Sequence, residues 1–458
     1  MRRWLYHDDM YRFGTPQSSW WEASAGAAET AFEPLTTSEQ CDVAIIGGGY
    51  TGLSAAYHLC RNHDIDVRVL EAGHIGWGAS GRNGGFCCVG GDALGSEALV
   101  TQYGEAAARD YTKSQVAGVQ LVRDLIIEEQ IDAERHGENE LAVACSARQF
   151  EKLREHAEFQ FRVLGLDTQV IDADTFRESC FDSPVQHGAA LLKPTFGLHP
   201  LKYVRGLARA AANRGANIHT GSEVVSWNRA GRHHVLQTSA GGELRAEKIV
   251  SAANGFMPEH LRTEIAGRTL PMFSAIVVTR PLTEDELARH AWQTTSPTFT
   301  ARNLLDYFRV LPDGRLLFGG RGSASGDDRS AAQNFERLVK RMHAVFPEWR
   351  DIDVEYRWHG LVCMTRRLTP GIGRLDDDPN VFFGFGYHGN GVSAATWTGQ
   401  QLARWIATAP TTSTRPPDWL PQVVYGLPGR FPLASLRLSY IRAAIASLRV
   451  ADSVAQRR

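Results

Sequence analysis

The chain has 458 residues, 43% of them hydrophobic, enough to bury a large core and to form two or three domains. A formal net charge of −2 creates no field that gathers nucleic acid, and no stretch approaches the roughly 18 apolar residues of a transmembrane helix. The N-terminus turns acidic and then reaches Gly14-Thr15-Pro16 where a signal peptide would be apolar, and the seven cysteines lack metal-ligand spacing; both fit a reducing cytoplasm and no bound metal.

After a lead-in over residues 1–37, "CDVAIIGGGYTGLSAAYHLCRNHDIDVRVLEAG" reads as strand, tight turn, helix and strand. Gly47, Gly49 and Gly52 have the G-x-G-x-x-G spacing that permits the turn, backbone approach to a pyrophosphate and close helix packing; Tyr50 and Thr51 lie inside it. Glu71 ends the second strand about 20 residues on, where a carboxylate accepts bonds from ribose hydroxyls. Such a fingerprint serves NAD, NADP or FAD. The next stretch, "GWGASGRNGGFCCVGG", supplies small residues, hydroxyls and amides suited to an extended ligand running past the phosphate site.

"VLEAG" followed by "GASGRNGG" resembles the D-amino-acid oxidase type of FAD-dependent amine oxidoreductase, and is most similar to its γ-glutamylputrescine oxidoreductase branch. The resemblance extends over nearly the whole chain, beginning with "SWW" at 19–21. It implies an α/β fold: a Rossmann-like FAD domain, an inserted and mainly antiparallel substrate domain, and a C-terminal helix. It implies non-covalent FAD against Glu71, Ala72, Gly78, Ala79, Ser80, Arg82, Asn83, Gly84, Gly85 and Phe86. The expected FAD-domain pieces are 38–91, 190–262 and 355–415; 92–189 and 263–354 form the substrate domain, and 416–458 the tail. Cys87 and Cys88 are adjacent, a spacing that closes only a strained disulfide ring, so they read as small side chains near the flavin.

Further along, Leu201, Val204, Leu207 and Ala211 give an amphipathic helix followed by the strand "NIHTGSEVVSW". The resemblance places Val224 near the adenine and Ala253, Asn254 and Gly255 against the cofactor. "NLLDYFRVLPDGRLLFGGRG" has a hairpin cue at Pro312-Asp313-Gly314, and strand alternation puts Tyr307 and Arg309 on one face. These two are candidate substrate contacts, Arg309 as a bidentate carboxylate clamp. "HGLVCMT" contains Gly360 and Cys363, the latter in the region where distant relatives attach flavin; a small buried thiol is the expectation here.

Gly384, Gly386 and Gly389 repeat the glycine spacing, but no strand ending in an acid follows; the chain goes into "TAPTTSTRPPDW", read as a loop. Helix 391–407 is instead expected to aim its N-terminus at the flavin where charge collects on reduction, with Gly386, Tyr387, Gly389, Asn390, Gly391 and Val392 around it. His388 is a third candidate catalytic residue, although His388-Gly389-Asn390-Gly391 departs from the Ser-Gly-His-Gly pattern of the family. Lysine is confined to positions 113, 152, 193, 202, 248 and 340, which leaves oxygen or a quinone or carrier protein as electron acceptor. The tail, with Leu436, Ile441, Ile445 and Leu448 beside Arg437, Arg442 and Arg449, reads as a helix docked on its own domain or a partner subunit, or lying on a membrane surface.

The implied function is oxidation of a C–N bond in a γ-glutamyl polyamine-like amine, secondary amine or amino acid, by hydride transfer to flavin N5 and hydrolysis of the imine. The alternatives are a D-amino-acid or N-methyl amino acid dehydrogenase with a non-oxygen acceptor, or non-amine chemistry on the same FAD fold.

Overall fold

The last four residues of the strand Ser38–Ile46 are all buried, as a parallel strand covered on both faces requires. In this computed structural model, which describes residues 5–6, 8–323, 328–408 and 416–455, that strand lies between Val67–Leu70 and Glu243–Ser251, parallel to both. Asn217–His219 extends the parallel run on one side. Val381–Phe385 extends it on the other and carries the antiparallel edge strand Gly371–Arg374. A hairpin, Val224–Ala230 and His233–Thr238, also pairs with Glu243–Ser251.

The turn after the first strand works as the glycine spacing requires. Gly47 has φ +109, and a Cβ there would lie 3.0 Å from the backbone of Ala252, just past the end of the neighbouring strand. A Cβ on Gly52 would meet the Gly47 carbonyl at 2.0 Å, so the helix Tyr50–His63 starts in direct contact with the turn it leaves. Two further helices, Pro200–Asn213 and Gly391–Thr408, cover the same region. Ser54 Oγ donates to the Thr396 carbonyl at 2.6 Å, tying Gly391–Thr408 to Tyr50–His63. The Lys193-Pro194 peptide before this region is cis.

A second eight-stranded sheet runs Val354–Thr365, Thr269–Pro281, Arg315–Ser323, Asp306–Val310, Thr298–Thr300, Glu140–Val143, Ala189–Lys193 and Asp167–Ile171. It is antiparallel except where Thr298–Thr300 lies parallel to Glu140–Val143. Two of the expected boundaries move. Ala189–Lys193 and Val354–Thr365, assigned by sequence to the cofactor side from residues 190 and 355 onward, belong to this sheet. Alternation identifies a strand but not its partner, and Val354–Thr365 finds its partner in the 13-residue strand Thr269–Pro281. Phe308, Phe318, Met342, Phe346 and Trp349 form the core between this sheet and the helix Asp328–Val345.

The tail helix, Arg437–Ala455, docks on its own chain: Ile441 and Ile445 are buried against Leu270, Met272 and Leu304, and Arg437 pairs with Glu259 at 2.6 Å. The side chain of Arg449 lies outside the described residues, as do positions 409–415 of the stretch read as a loop. Among the described residues no helix is long and apolar enough to cross a membrane.

Candidate active site

Between the two sheets lies a cavity of about 610 Å³ that reaches from the Gly47–Thr51 turn to the face of the second sheet. At the turn, Glu71 Oε2 accepts from the Gly48 amide (2.7 Å) and Oε1 from the Gly73 amide (2.9 Å). Burial raises the Glu71 carboxyl above its ordinary range, with these backbone donors opposing the rise only in part. Each oxygen keeps a lone pair for a hydroxyl of a bound ligand. Val224 lines the same end beside Pro258 and Leu261.

Arg82, only 4% exposed, lines the wall with its guanidinium over the Trp77 ring at 4.2 Å. Its Nε and Nη2 have no hydrogen-bond partner among the described residues, and burial pushes the group down to about 10. A buried cation with donors to spare, beside a glycine turn and the start of a helix, suits an anionic dinucleotide. Asn83 is spent on the loop itself: its Nδ2 donates to the Ala79 and Ser80 carbonyls and its Oδ1 accepts from the Gly85 amide. Trp21, from the "SWW" lead-in, pins the same loop by donating to the Asn83 carbonyl at 2.9 Å.

Most of the expected cofactor residues line this one cavity: Gly47, Gly49, Tyr50, Thr51, Glu71, Ala72, Gly78, Ala79, Ser80, Arg82, Asn83, Gly84, Phe86, Val224, Ala253, Asn254, Gly360, Tyr387, Gly389, Asn390, Gly391 and Val392. Gly52, Gly85, Gly255 and Gly386 stand behind it, where an added Cβ would meet the Gly47 carbonyl, the Leu198 carbonyl, Pro271 and Thr365 respectively. The Tyr387 hydroxyl joins Thr51 Oγ1 at 2.7 Å and Asn254 Oδ1 accepts from the Gly386 amide, so the second glycine cluster is tied to the first turn and to the Asn254 strand end.

The three candidate catalytic residues have different surroundings. Tyr307 faces the cavity; its hydroxyl bonds Ser274 Oγ at 3.0 Å, and burial pushes it up to about 12. Its ring lies across Gly319, where a Cβ would come within 2.2 Å of it. His388 also lines the cavity, but both ring nitrogens are occupied. Nε2 accepts from the Thr365 amide at 3.1 Å, which leaves Nδ1 protonated and donating to the Gly91 carbonyl at 3.0 Å. Burial lowers this imidazole to about 4, so it is neutral and holds three chain segments together.

Arg309 shares a strand face with Tyr307 as alternation requires, yet it is not among the cavity-lining residues. At its position the face is covered by the Phe86–Cys87 and Phe196–Gly197 ribbon: the guanidinium lies 5.9 Å from the Phe86 ring centre, and a Cβ on Gly197 would come within 2.5 Å of it. Its guanidinium donates to the Gly84 carbonyl (3.1 Å), the Leu198 carbonyl (2.7 Å) and His136 Nε2 (2.6 Å), and is a strut under the glycine loop. On the second sheet, a guanidinium that does line the cavity is Arg321, next on that face beyond Gly319, with Nη2 donating to the His388 carbonyl at 2.8 Å. A sequence signal existed: Arg321 is the first charge after the apolar run "LLFGG".

Cys363 lines the cavity as a free thiol, pushed up to about 12 by burial. Cys87 and Cys88 are free and buried, and burial raises both well above the ordinary thiol range, against any role as thiolates.

Residues 42–405 match the family described as FAD dependent oxidoreductase. The chain is 33% identical over 391 residues to the γ-glutamylputrescine oxidoreductase of Escherichia coli, covering 84% of this chain and 88% of that one. It is 26% identical to the glycine oxidase of Bacillus licheniformis, over 83% and 95% of the two chains. Among solved structures, glycine oxidase from Geobacillus kaustophilus superposes with a TM-score of 0.67 at 22% identity, covering 81% of this chain and 96% of that one. A glycine turn held by Glu71, an unpaired Arg82 beside it and a family match over most of the length identify this chain as a member of the FAD dependent oxidoreductase family, an enzyme that works with FAD.

Proposed function

We propose that the enzyme oxidises a C–N bond in an amine or amino acid. The observation that carries this reading is the single cavity joining the glycine turn to Tyr307, Ser274 and Arg321 on the second sheet, where a small polar molecule fits beside the cofactor. The names of the relatives, an oxidoreductase of γ-glutamylputrescine and a glycine oxidase, support amines as the substrate class. Bound FAD supplies a hydride acceptor for the carbon next to nitrogen; hydride loss leaves an imine, which water hydrolyses to a carbonyl compound and an amine.

The chain's own contribution is binding, orientation and exclusion of water. Glu71, the Gly47–Thr51 turn and Arg82 would hold the cofactor's ribose and phosphates. Arg321 receives an anionic or polar end of the substrate. Tyr307, protonated at neutral pH, offers a hydrogen bond from its hydroxyl beside Ser274. His388 fixes the loop before the helix Gly391–Thr408, whose N-terminus presents its positive end to the cavity. An alkyl amine carries a proton at neutral pH, and a buried, largely apolar pocket favours the neutral form that reacts.

The test is anaerobic addition of amines, polyamines, γ-glutamyl amines, N-methyl amino acids and D-amino acids to the purified yellow protein. Bleaching of the visible flavin band by a member of this panel is expected, and no bleaching by any of them counts against the proposal. Repeating the active case in air assigns the acceptor: recovery of the band with oxygen consumed means an oxidase, and persistence of the bleached state means a quinone or carrier protein.

A further inference from the structure

On the cavity side of the second sheet, the register aligns Ala142, Phe299, Tyr307 and Gly319 in one row across four strands. Two residues along from opposite ends of this row stand the charged groups Arg321 and Glu140. Because these two strands run in the same direction, the groups lie three strand spacings, about 14 Å, apart across the sheet and four residues, about 13 Å, apart along it. Arg321 is the guanidinium described above. Glu140 is 7% exposed, lines the cavity, and faces the same way as Leu192, its cross-strand partner, which lines it too.

Glu140 has no cation beside it: among the described residues no Lys, Arg or His forms an ion pair with it, and the polar group that reaches it is the Cys88 thiol. A carboxylate buried without a cation is costly. Burial pushes this one up to about 8, and a ligand ammonium against it would reverse both effects. Most other buried acids here are already matched: Asp306 lies against Arg341 and Arg302, and Asp378 against Arg262. Two other carboxyls that line the cavity are held by backbone amides, Glu71 by those of Gly48 and Gly73 and Asp92 by those of Leu94 and Gly95, whereas Glu140 has neither a cation nor a backbone donor among the described residues.

We propose that Glu140 is a specificity residue that binds a second, protonated nitrogen of the substrate, remote from the carbon that is oxidised. The substrate class is then an elongated amine with two nitrogens, one neutral beside the cofactor and one cationic at Glu140. This inference rests on reading the cavity as an amine site, and its test is a binding measurement that needs no turnover.

The FAD-loaded wild type and the variants Glu140→Gln, Glu140→Leu and Glu140→Asp are titrated calorimetrically with α,ω-diamines of four to eight carbons. Each diamine is paired with the n-alkylamine whose terminal methyl replaces the second ammonium. In the wild type at least one diamine is expected to bind tenfold or more tightly than its partner. The ratio should fall to about one in Glu140→Gln and Glu140→Leu and be partly kept in Glu140→Asp, with FAD content measured in each. No preference in the wild type, or a preference that survives Glu140→Gln, overturns the inference. Preferential binding with no flavin bleaching would leave it standing and count against amine oxidation; bleaching with an unchanged preference in Glu140→Gln would do the reverse.

Discussion

Replacing Arg309 by methionine separates a strut from a substrate clamp. Methionine fills much of the arginine stem but donates nothing, so the Gly84 carbonyl, the Leu198 carbonyl and His136 Nε2 each lose a donor. At about 1–3 kcal/mol for each buried group left unpaired, the gross loss is about 3–9 kcal/mol. Relief from burying a guanidinium offsets about 1–4 kcal/mol of that, for a net destabilisation of about 3–4 kcal/mol at the middle of both ranges, within a total of about 5–15 kcal/mol. Because Gly84 lines the cofactor cavity, the loss should appear as FAD release at lower temperature, read by the rise of free-flavin fluorescence on heating. KM for substrates with and without a carboxylate should change by the same factor in Arg309→Met, whereas Arg321→Met should weaken the carboxylate-bearing ones selectively. A variant with the wild-type melting temperature and a selective loss for carboxylate substrates would return Arg309 to the role of a clamp and refute the strut.

Three further outcomes follow from the same geometry. Glu71→Gln turns an amide N–H₂ toward the Gly48 or Gly73 amide; losing one charge-assisted bond, about 1.5–3 kcal/mol, should weaken FAD binding roughly tenfold to a hundredfold in a flavin-fluorescence titration, and unchanged affinity would contradict the cradle. With the Cys363 thiol pushed up to about 12, acid precipitation should leave all FAD in the supernatant; flavin in the pellet would mean a covalent link. The buried His58, His199 and His388 are lowered from 6.5 to about 4, 3 and 4. The unfolded chain therefore takes up their protons first as pH falls. The stability they contribute is complete above pH 6.5 and is lost as pH falls toward 4, at up to about 1.4 kcal/mol per pH unit for each. Melting temperature measured across that window should fall, and a flat profile would contradict these assignments.

The cofactor side was legible because its signal is local. Gly47, Gly52 and Glu71 sit within one strand-turn-helix-strand unit, and the chemistry that wants each of them is set by near neighbours in sequence. The substrate side was less so. Glu140 and Arg321 share a face only because Thr298–Thr300 pairs in parallel with Glu140–Val143 and antiparallel with Asp306–Val310, a register that no single segment encodes. Arg309 illustrates the same limit: alternation gave its face correctly, but the ribbon that covers that face comes from residues more than a hundred positions away. His388 was legible as a residue of the segment that now lines the cavity, while the occupation of both its nitrogens depends on Thr365 and Gly91, brought in from two other segments.

The central claim is that a carbon next to nitrogen is oxidised in the cavity between the two sheets. It is tested most directly by rapid mixing, without oxygen, of the FAD-loaded enzyme with an active amine deuterated at that carbon and with its unlabelled form. Deuterium is expected to slow bleaching of the flavin band several-fold, with one carbonyl product formed per flavin reduced. Bleaching with no isotope effect at that carbon, or with no carbonyl product, would contradict it.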